Sequence, residues 1–348
     1  MARAKGSGLP ELRATGGGRV RMEDVAAVAG VSVATVSRAF GKPDSVSPEL
    51  RRRVLESAER LGFRPSVLAG SLASARARIV GVVVPSLLTS FFGMTLEALA
   101  GRLGPAGYQM MVGHHEYDLE REEALVAASL DWSPAAIVVT GATHSRATLS
   151  ALARAECPVV EMWEISERPI DAAVGFSNRE AGRAVARHLI AGGRRRLAFV
   201  GGAMARDLRA AARGQGFVEA ALEAGLPEPR VEVLEERSST AGGIAAFARL
   251  MDADEPPEAI AFSNDFLALG ALFEAQRRGV RIPEDVALAG YGDLEFAANS
   301  TPTLTTVRPP HRAIGTAVAD HLLRRFEDPG AGGEIIDLGF ELVARASG

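Results

Sequence analysis

Lysine is almost missing: Lys5 and Lys42 are the only two in 348 residues, so arginine carries nearly all the positive charge. That bias reads as genomic base composition rather than function. Cysteine occurs once, at Cys157, which excludes an intrachain disulfide and points to a reducing compartment. Cys157 precedes a proline at the start of an apolar run, where a core thiol is a better reading than a nucleophile. No apolar run approaches the ~18–20 residues of a membrane-crossing helix. None follows the early charges either, so no secretory signal is expected. No P-loop, no G-x-S-x-G elbow and no metal-ligand spacing of Cys, His and carboxylate is found. "GGAMARD" lacks the strand–GxGxxG–helix fingerprint. These absences predict no cofactor, no metal and no enzyme.

What charge there is lies unevenly. Residues 1–78 hold 14 Lys and Arg against 7 Asp and Glu, a balance of +7. The remaining residues hold 25 against 36, a balance of −11. A basic head on an acidic body predicts that the head meets a polyanion.

Residues 1–20 are glycine-rich and unpatterned, and are expected to be a disordered leader. From Met22 apolar residues recur on one helical face (Met22, Val25, Val28, Ala29) and Gly30 ends the helix. Ser32 caps a second helix to about Phe40. Ser47 followed by Pro48 opens a third, with Leu50, Val54, Leu55, Ala58 and Leu61 expected inward and a stop at Gly62. Helix, tight turn, helix, helix is the layout of a helix-turn-helix unit, though an ordinary three-helix bundle has the same periodicity. On the first reading the second helix enters the major groove. Arg38 then pairs with guanine, Thr35 and Ser37 hold phosphates, and Val33 and Ala34 offer apolar contact to a thymine methyl.

After Arg78 the rhythm changes. Apolar runs such as "IVGVVVP", "AAIVVTG", "RLAFVGG" and "VALAGYG" alternate with helical stretches. This predicts doubly wound α/β structure with parallel sheets, more than one because about ten strands exceed an ordinary domain. Ligands in such sheets bind beyond the carboxyl ends of the strands.

The stretch "MEDVAAVAGVSVATVSRAFGKPDSVSPELRRRVLESAERLGFRPSVLAGSLAS", with its pattern DVAxxAGVSxxTVSR…VSxxxRxxVxxAxxxLGxxP, resembles the N-terminal region of the LacI/GalR family. The resemblance runs on over residues 21 to 345. Within the family it is to gluconate-type repressors, through "GVVVPSLL", "GYQMMVGHHEYD", "PVVEMW", "VGFSN", "FSNDFLALGA" and "IIDLGFEL". It implies a cytoplasmic, nucleoid-associated, dimeric regulator, with higher assembly left open. Its fold would be an all-α helix-turn-helix head (21–64), a hinge (65–77) and a periplasmic-binding-protein-like sensor (78–348). The family's three lobe crossings fall near Asn178, Val307 and Phe340. Lobe one is then about 79–177 with 308–330, and lobe two 178–306 with 331–348. Leu72 stands where a hinge leucine wedges into the minor groove. Ser66 and Gly70 depart from the usual hinge. The Val33–Ala34–Arg38 combination implies a palindromic operator with a central CG step.

Carried over position by position, effector contacts are expected from Ser86, Asp207, Arg209, Arg213, Asn264 and Asp265. Trp163 stands where many sugar binders have aspartate, and Gly292 replaces a second one in "GYGD". Fewer carboxylates and an added Arg209 favour a sugar acid such as gluconate, while Glu161 counts against it. His114 follows a strand, so it or the adjacent His115 is a further cleft candidate. A neutral-sugar or co-repressor-responsive regulator is the alternative. A sugar transport protein with the same sensor would not need the basic head.

Overall fold

The computed structural model describes residues 20–41, 45–63, 78–87 and 90–348. The expected hinge, with Leu72, lies outside these residues, as does the leader through residue 19. The chain divides into two compact units between Ala77 and Arg78.

In the first unit three helices form around very small side chains: α1 (Met22–Ala29), α2 (Val33–Gly41) and α3 (Pro48–Leu61). Asp24 accepts the Arg21 N–H at 2.8 Å to start α1, and Gly30, at φ 63°, ends it. A positive φ there suits a residue without Cβ. The chain then turns by 102° into α2, within the range of helix-turn-helix pairs. Ser32 Oγ accepts from Thr35 N (3.2 Å), and Ser47 Oγ from Leu50 N (3.4 Å), so both caps stand where the serines indicated. Val25, Ala26, Ala29, Val36, Ala39, Val54 and Ala58 make the core. Leu55 does not join it: one step of 100° beyond Val54 turns it outward, and it is exposed.

The second unit holds two six-stranded sheets. The first runs β11-β5-β4-β3-β1-β2 and the second β12-β10-β9-β8-β6-β7. The first lobe uses β1 (Ile79–Val84), β2 (Gln109–His114), β3 (Ala136–Thr140), β4 (Val159–Met162), β5 (Ala172–Gly175) and β11 (Ile335–Asp337). The second uses β6 (Leu197–Gly202), β7 (Arg230–Leu234), β8 (Ala259–Phe262), β9 (Ala287–Tyr291), β10 (Thr305–Arg308) and β12 (Glu341–Val343). All pairings are parallel except β10 with β12. The central strands are runs of Val, Ile and Ala buried on both faces, as covered parallel sheets require.

Helices cover them: α4 (Ser90–Leu103), α5 (Leu119–Asp131), α6 (Arg146–Ala153) and α11 (His311–Glu327) on the first sheet, and α7 (Asn178–Ala191), α8 (Leu208–Glu223), α9 (Thr240–Met251) and α10 (Asp265–Arg278) on the second. Helix pairs cross where a glycine removes the side chain. A Cβ on Gly182 of α7 would stand 1.9 Å from the Arg213 carbonyl of α8, and one on Gly270 of α10 would stand 2.1 Å from the Thr240 carbonyl of α9. The chain passes between lobes before Asn178, after β10 and between β11 and β12. Residues 331–337 differ from the expected division. Ile335–Asp337 pair with β5 of the first sheet, and Ala173 N donates to Glu334 O at 2.9 Å. Only β12 returns to the second.

Candidate functional site

The head presents one open face of α2. Val36 and Ala39 are buried, which turns Val33, Ala34 and Arg38 outward, with Ser37 half-buried beside them. Val33 is 40% exposed. The Arg38 side chain lies back along the helix, with Nε donating to the Ala34 carbonyl at 3.3 Å. Thr35 is tied locally, its Oγ1 2.9 Å from Ser32 Oγ.

In the second unit a cavity of about 600 Å³ opens between the lobes, at the carboxyl ends of the strands. The first lobe lines it with the segment after β2 (His115, Tyr117, Asp118, Glu122), the end of β3 (Thr140, Gly141) and Glu164 after β4. From the second lobe come Arg206, Leu208, Arg209 and Ala212, at and before the start of α8. Glu116 and Tyr117 both have positive φ, 58° and 62°. Two adjacent non-glycine residues in that region store strain, which persists where neighbouring contacts fix it. Here those contacts cross the cleft. Glu116 Oε2 lies 2.9 Å from Arg237 Nη2 of the second lobe, and Tyr117 lies under the Arg209 guanidinium (5.9 Å).

Arg209 is the more buried of the two arginines at this cavity. Its Nη1 reaches within 3.0 Å of where a Gly141 Cβ would stand, so it spans from the second lobe to the first. Phe92 and Tyr117 flank it at 5.9 Å each. Among the described residues, only Asp207 brings a carboxylate within 4.0 Å of it, at 3.9 Å. Of the carboxylates around the cavity, Glu120 is exposed at its rim and the others are engaged elsewhere. Asp118 caps α5, accepting from Glu120 N (2.9 Å) and Arg121 N (3.1 Å), which holds its carboxyl below the usual range. Glu164 accepts from Asn178 Nδ2 at 2.8 Å, and burial pushes its carboxyl up. Glu122 meets His144 Nδ1 at 2.6 Å. Glu161, expected in the cleft, lies behind its wall, 3.6 Å from His144 Nε2.

Several expected contacts face inward rather than toward the cavity. Arg213 is 7% exposed: Nη1 donates to Asn178 Oδ1 (2.6 Å), Nη2 to the Ser263 carbonyl (3.1 Å), and Cζ stacks 3.8 Å from the Tyr291 ring. Asn178 in turn donates to the Trp163 carbonyl (3.1 Å), so one node ties the lobes at the first crossing. Asp265 is fully buried, accepting from Thr306 Oγ1 (2.6 Å) and Leu294 N (2.8 Å), and burial pushes its carboxyl up to about 6. Asn264 caps α10 by accepting from Leu267 N (3.1 Å). Asp207 caps α8 by accepting from Ala210 N (3.2 Å). Trp163 packs into an aromatic cluster, 5.1 Å from Phe92 and 5.5 Å from His311. Ser86 is buried at the end of β1.

His114 is exposed on the edge strand β2, whereas its neighbour His115 points the other way into the cavity. At Gly292 the site of the missing aspartate is filled: a Cβ there would stand 2.3 Å from the Phe91 ring. Tyr117, Glu122, Glu164 and Arg206 were not singled out in the sequence. The rule that ligands sit at strand ends would have pointed to the segments that carry them.

No single helix among the described residues is long and apolar enough to cross a membrane, and no group of metal-ligating side chains is arranged for an ion. Residues 21–66 match the profile of bacterial regulatory proteins of the lacI family, and residues 186–348 that of the periplasmic binding protein-like domain. The chain is 38% identical over 331 residues to the HTH-type transcriptional regulator GntR of Pseudomonas aeruginosa, covering 95% of this chain and 96% of that one. It is 33% identical to the regulator of the same name from Escherichia coli, covering 92% and 96%. A crystal structure of a LacI-family regulator from Silicibacter pomeroyi superposes with a TM-score of 0.88 at 33% identity, over 94% of this chain and 99% of that one. With a helix-turn-helix head and a two-lobed binding-protein-like sensor, the chain belongs to the lacI family of DNA-binding transcription regulators and is not an enzyme.

Proposed function

We propose that the chain is a dimeric repressor whose operator affinity is set by a sugar acid, gluconate or a similar aldonate, held between the sensor lobes. One observation carries the ligand reading: Arg209 spans the cavity with its nearest carboxylate 3.9 Å away. A guanidinium held between aromatic rings, with its donors not spent on a close carboxylate, suits a ligand carboxylate. Arg206, at the same wall, adds positive charge. Thr140 and His115 line the opposite side and suit hydroxyls. A neutral sugar is the second reading, favoured by Glu164, whose buried carboxyl would accept sugar hydroxyls.

On the DNA side, Val33, Ala34 and Arg38 read base edges while Thr35 and Ser37 hold phosphates. Leu72 wedges the centre of a palindrome with a central CG step. A palindrome needs two heads. A groove on the second lobe, lined by Leu269, Leu272, Phe273 and Phe296, supports a homodimer, since Phe273 is 47% exposed there. The effector acts by binding the non-operator form better, with a coupling of roughly 1–3 kcal/mol.

Thermal-shift titration with aldonates, ketoaldonates and neutral sugars tests the ligand. Stabilisation by aldonates supports the proposal, and hits among neutral sugars alone would overturn it. On the DNA side, Arg38→Ala is expected to cost about 1–3 kcal/mol of operator affinity and to relax one base position. A footprint and affinity unchanged by that substitution would remove Arg38 from the groove.

A further inference from the structure

We propose that His144 sets the charge preference of the cleft: its imidazolium, clamped between Glu122 and Glu161 behind the cavity wall, cancels carboxylate charge there and so admits an anionic ligand. The inference deepens the acid-effector reading above and rests on it.

The geometry is that of a buried clamp. The His144 side chain is fully buried, Glu122 and Glu161 are 2% and 3% exposed, and both imidazole nitrogens face a carboxylate, at 2.6 and 3.6 Å. Of the two glutamates only Glu122 lines the cavity. Its other oxygen, Oε2, lies 3.7 Å from His115 Nε2, and neither nitrogen of His115 makes a hydrogen bond within the protein. The groups packed around His144 come from three places: His115 at the end of β2, Glu122 on α5 and Glu161 on β4. Glu161 also accepts from Ile170 N at 2.8 Å. Across the cleft, Arg209 acts on His115 through its charge.

A single imidazolium between two carboxylates leaves the cluster at about −1. Without it the cluster is at −2 beside a site meant for an anion, and a buried charge that has lost its partner is strongly unfavourable. Burial opposes the charge on His144, but the hydrogen-bonded carboxylate of Glu122 and the nearby carboxylate of Glu161 outweigh it and raise the group to about 9. The imidazolium therefore persists through neutral pH. Burial lowers His115, which favours the neutral form of the ring that faces the ligand. His144 is thus a positioning residue: it touches no ligand and acts through Glu122.

The test is calorimetric titration of the full chain with D-gluconate across pH. Wild type is titrated first. If it binds no gluconate, the acid-effector reading fails and this inference falls with it. Given wild-type binding, His144→Gln keeps a donor to Glu122 without the charge. It is expected to weaken gluconate binding roughly tenfold or more near pH 8 and to recover at lower pH, where a proton replaces the lost charge. Wild type should change less over that range than the variant. Adding Glu122→Gln to His144→Gln removes the excess carboxylate and should restore affinity at the higher pH to within roughly threefold of wild type. A merely structural role would give neither the pH dependence nor the rescue. His144→Gln binding gluconate with wild-type strength and pH profile, or a double variant as weak as the single one, would overturn the role of His144 while leaving the acid-effector reading standing.

Discussion

Arg213→Ala is expected to lower the unfolding free energy of the sensor by roughly 2–4 kcal/mol, the scale on which buried acceptors are left unpaired beside a new void. The substitution leaves Asn178 Oδ1 with only the Tyr291 hydroxyl at 3.3 Å, takes the Arg213 donor from the buried Ser263 carbonyl, and removes the cation from the Tyr291 ring. Because Asn178 also holds Trp163 and Glu164 of the first lobe, the loss spreads to the crossing itself. Response to effector should vanish with it, since a loosened crossing no longer converts closure into a definite lobe movement. Arg213→Lys should recover only part of the stability. An ammonium cannot reach both acceptors while covering the ring, as the flat guanidinium does. Denaturant unfolding decides the matter, and an alanine variant within about 1 kcal/mol of wild type would show that the node carries little.

Arg209→Ala is expected to do the reverse. Arg209 has no carboxylate closer than 3.9 Å and rests on two rings, so its removal should cost stability only about 1 kcal/mol. Binding of an acid effector should fall by about 2–4 kcal/mol, roughly thirty- to a thousandfold, since two charge-assisted hydrogen bonds to a carboxylate disappear. Operator binding in the absence of effector should not change. Calorimetry with the best aldonate, beside a gel-shift titration of operator, separates these effects. Equal aldonate affinity in the two proteins would place the carboxylate elsewhere. The pair of variants thus divides two arginines only four positions apart on one helix: one builds the sensor, the other meets its ligand.

How far the sequence could be read depended on the range of the interactions. The head was legible nearly to the residue, because Ser32, Ser47, Gly30 and Gly62 act within one turn of themselves. The central strands were legible from their Val and Ile runs. Ile335–Asp337 and Glu341–Val343, three residues each, were not, since no periodicity develops over so few. Cleft positions failed at the level of parity. His114 and His115 are adjacent, and only the pleat of β2 decides which enters the cavity. Asp265 and Arg213 carry the charges of ligand contacts but spend them on buried neighbours that a linear reading does not see. The cluster of Glu122, His144 and Glu161 was invisible for a plainer reason. Its members are about twenty residues apart, and they meet only because β3 neighbours β4 in the sheet and α5 packs over it.

The buried centre of the head is three valines and four alanines, with Met22, Val31, Phe40, Leu61 and Phe63 only partly buried around it. A fully buried valine contributes on the order of 1.5 kcal/mol and alanine much less, so this nucleus sits close to the limit at which a chain folds unaided. The sensor, with two six-stranded sheets, is far from that limit. Warming the protein should therefore melt the reader before the receiver, and a bound duplex, by mass action, should close the gap between the two events.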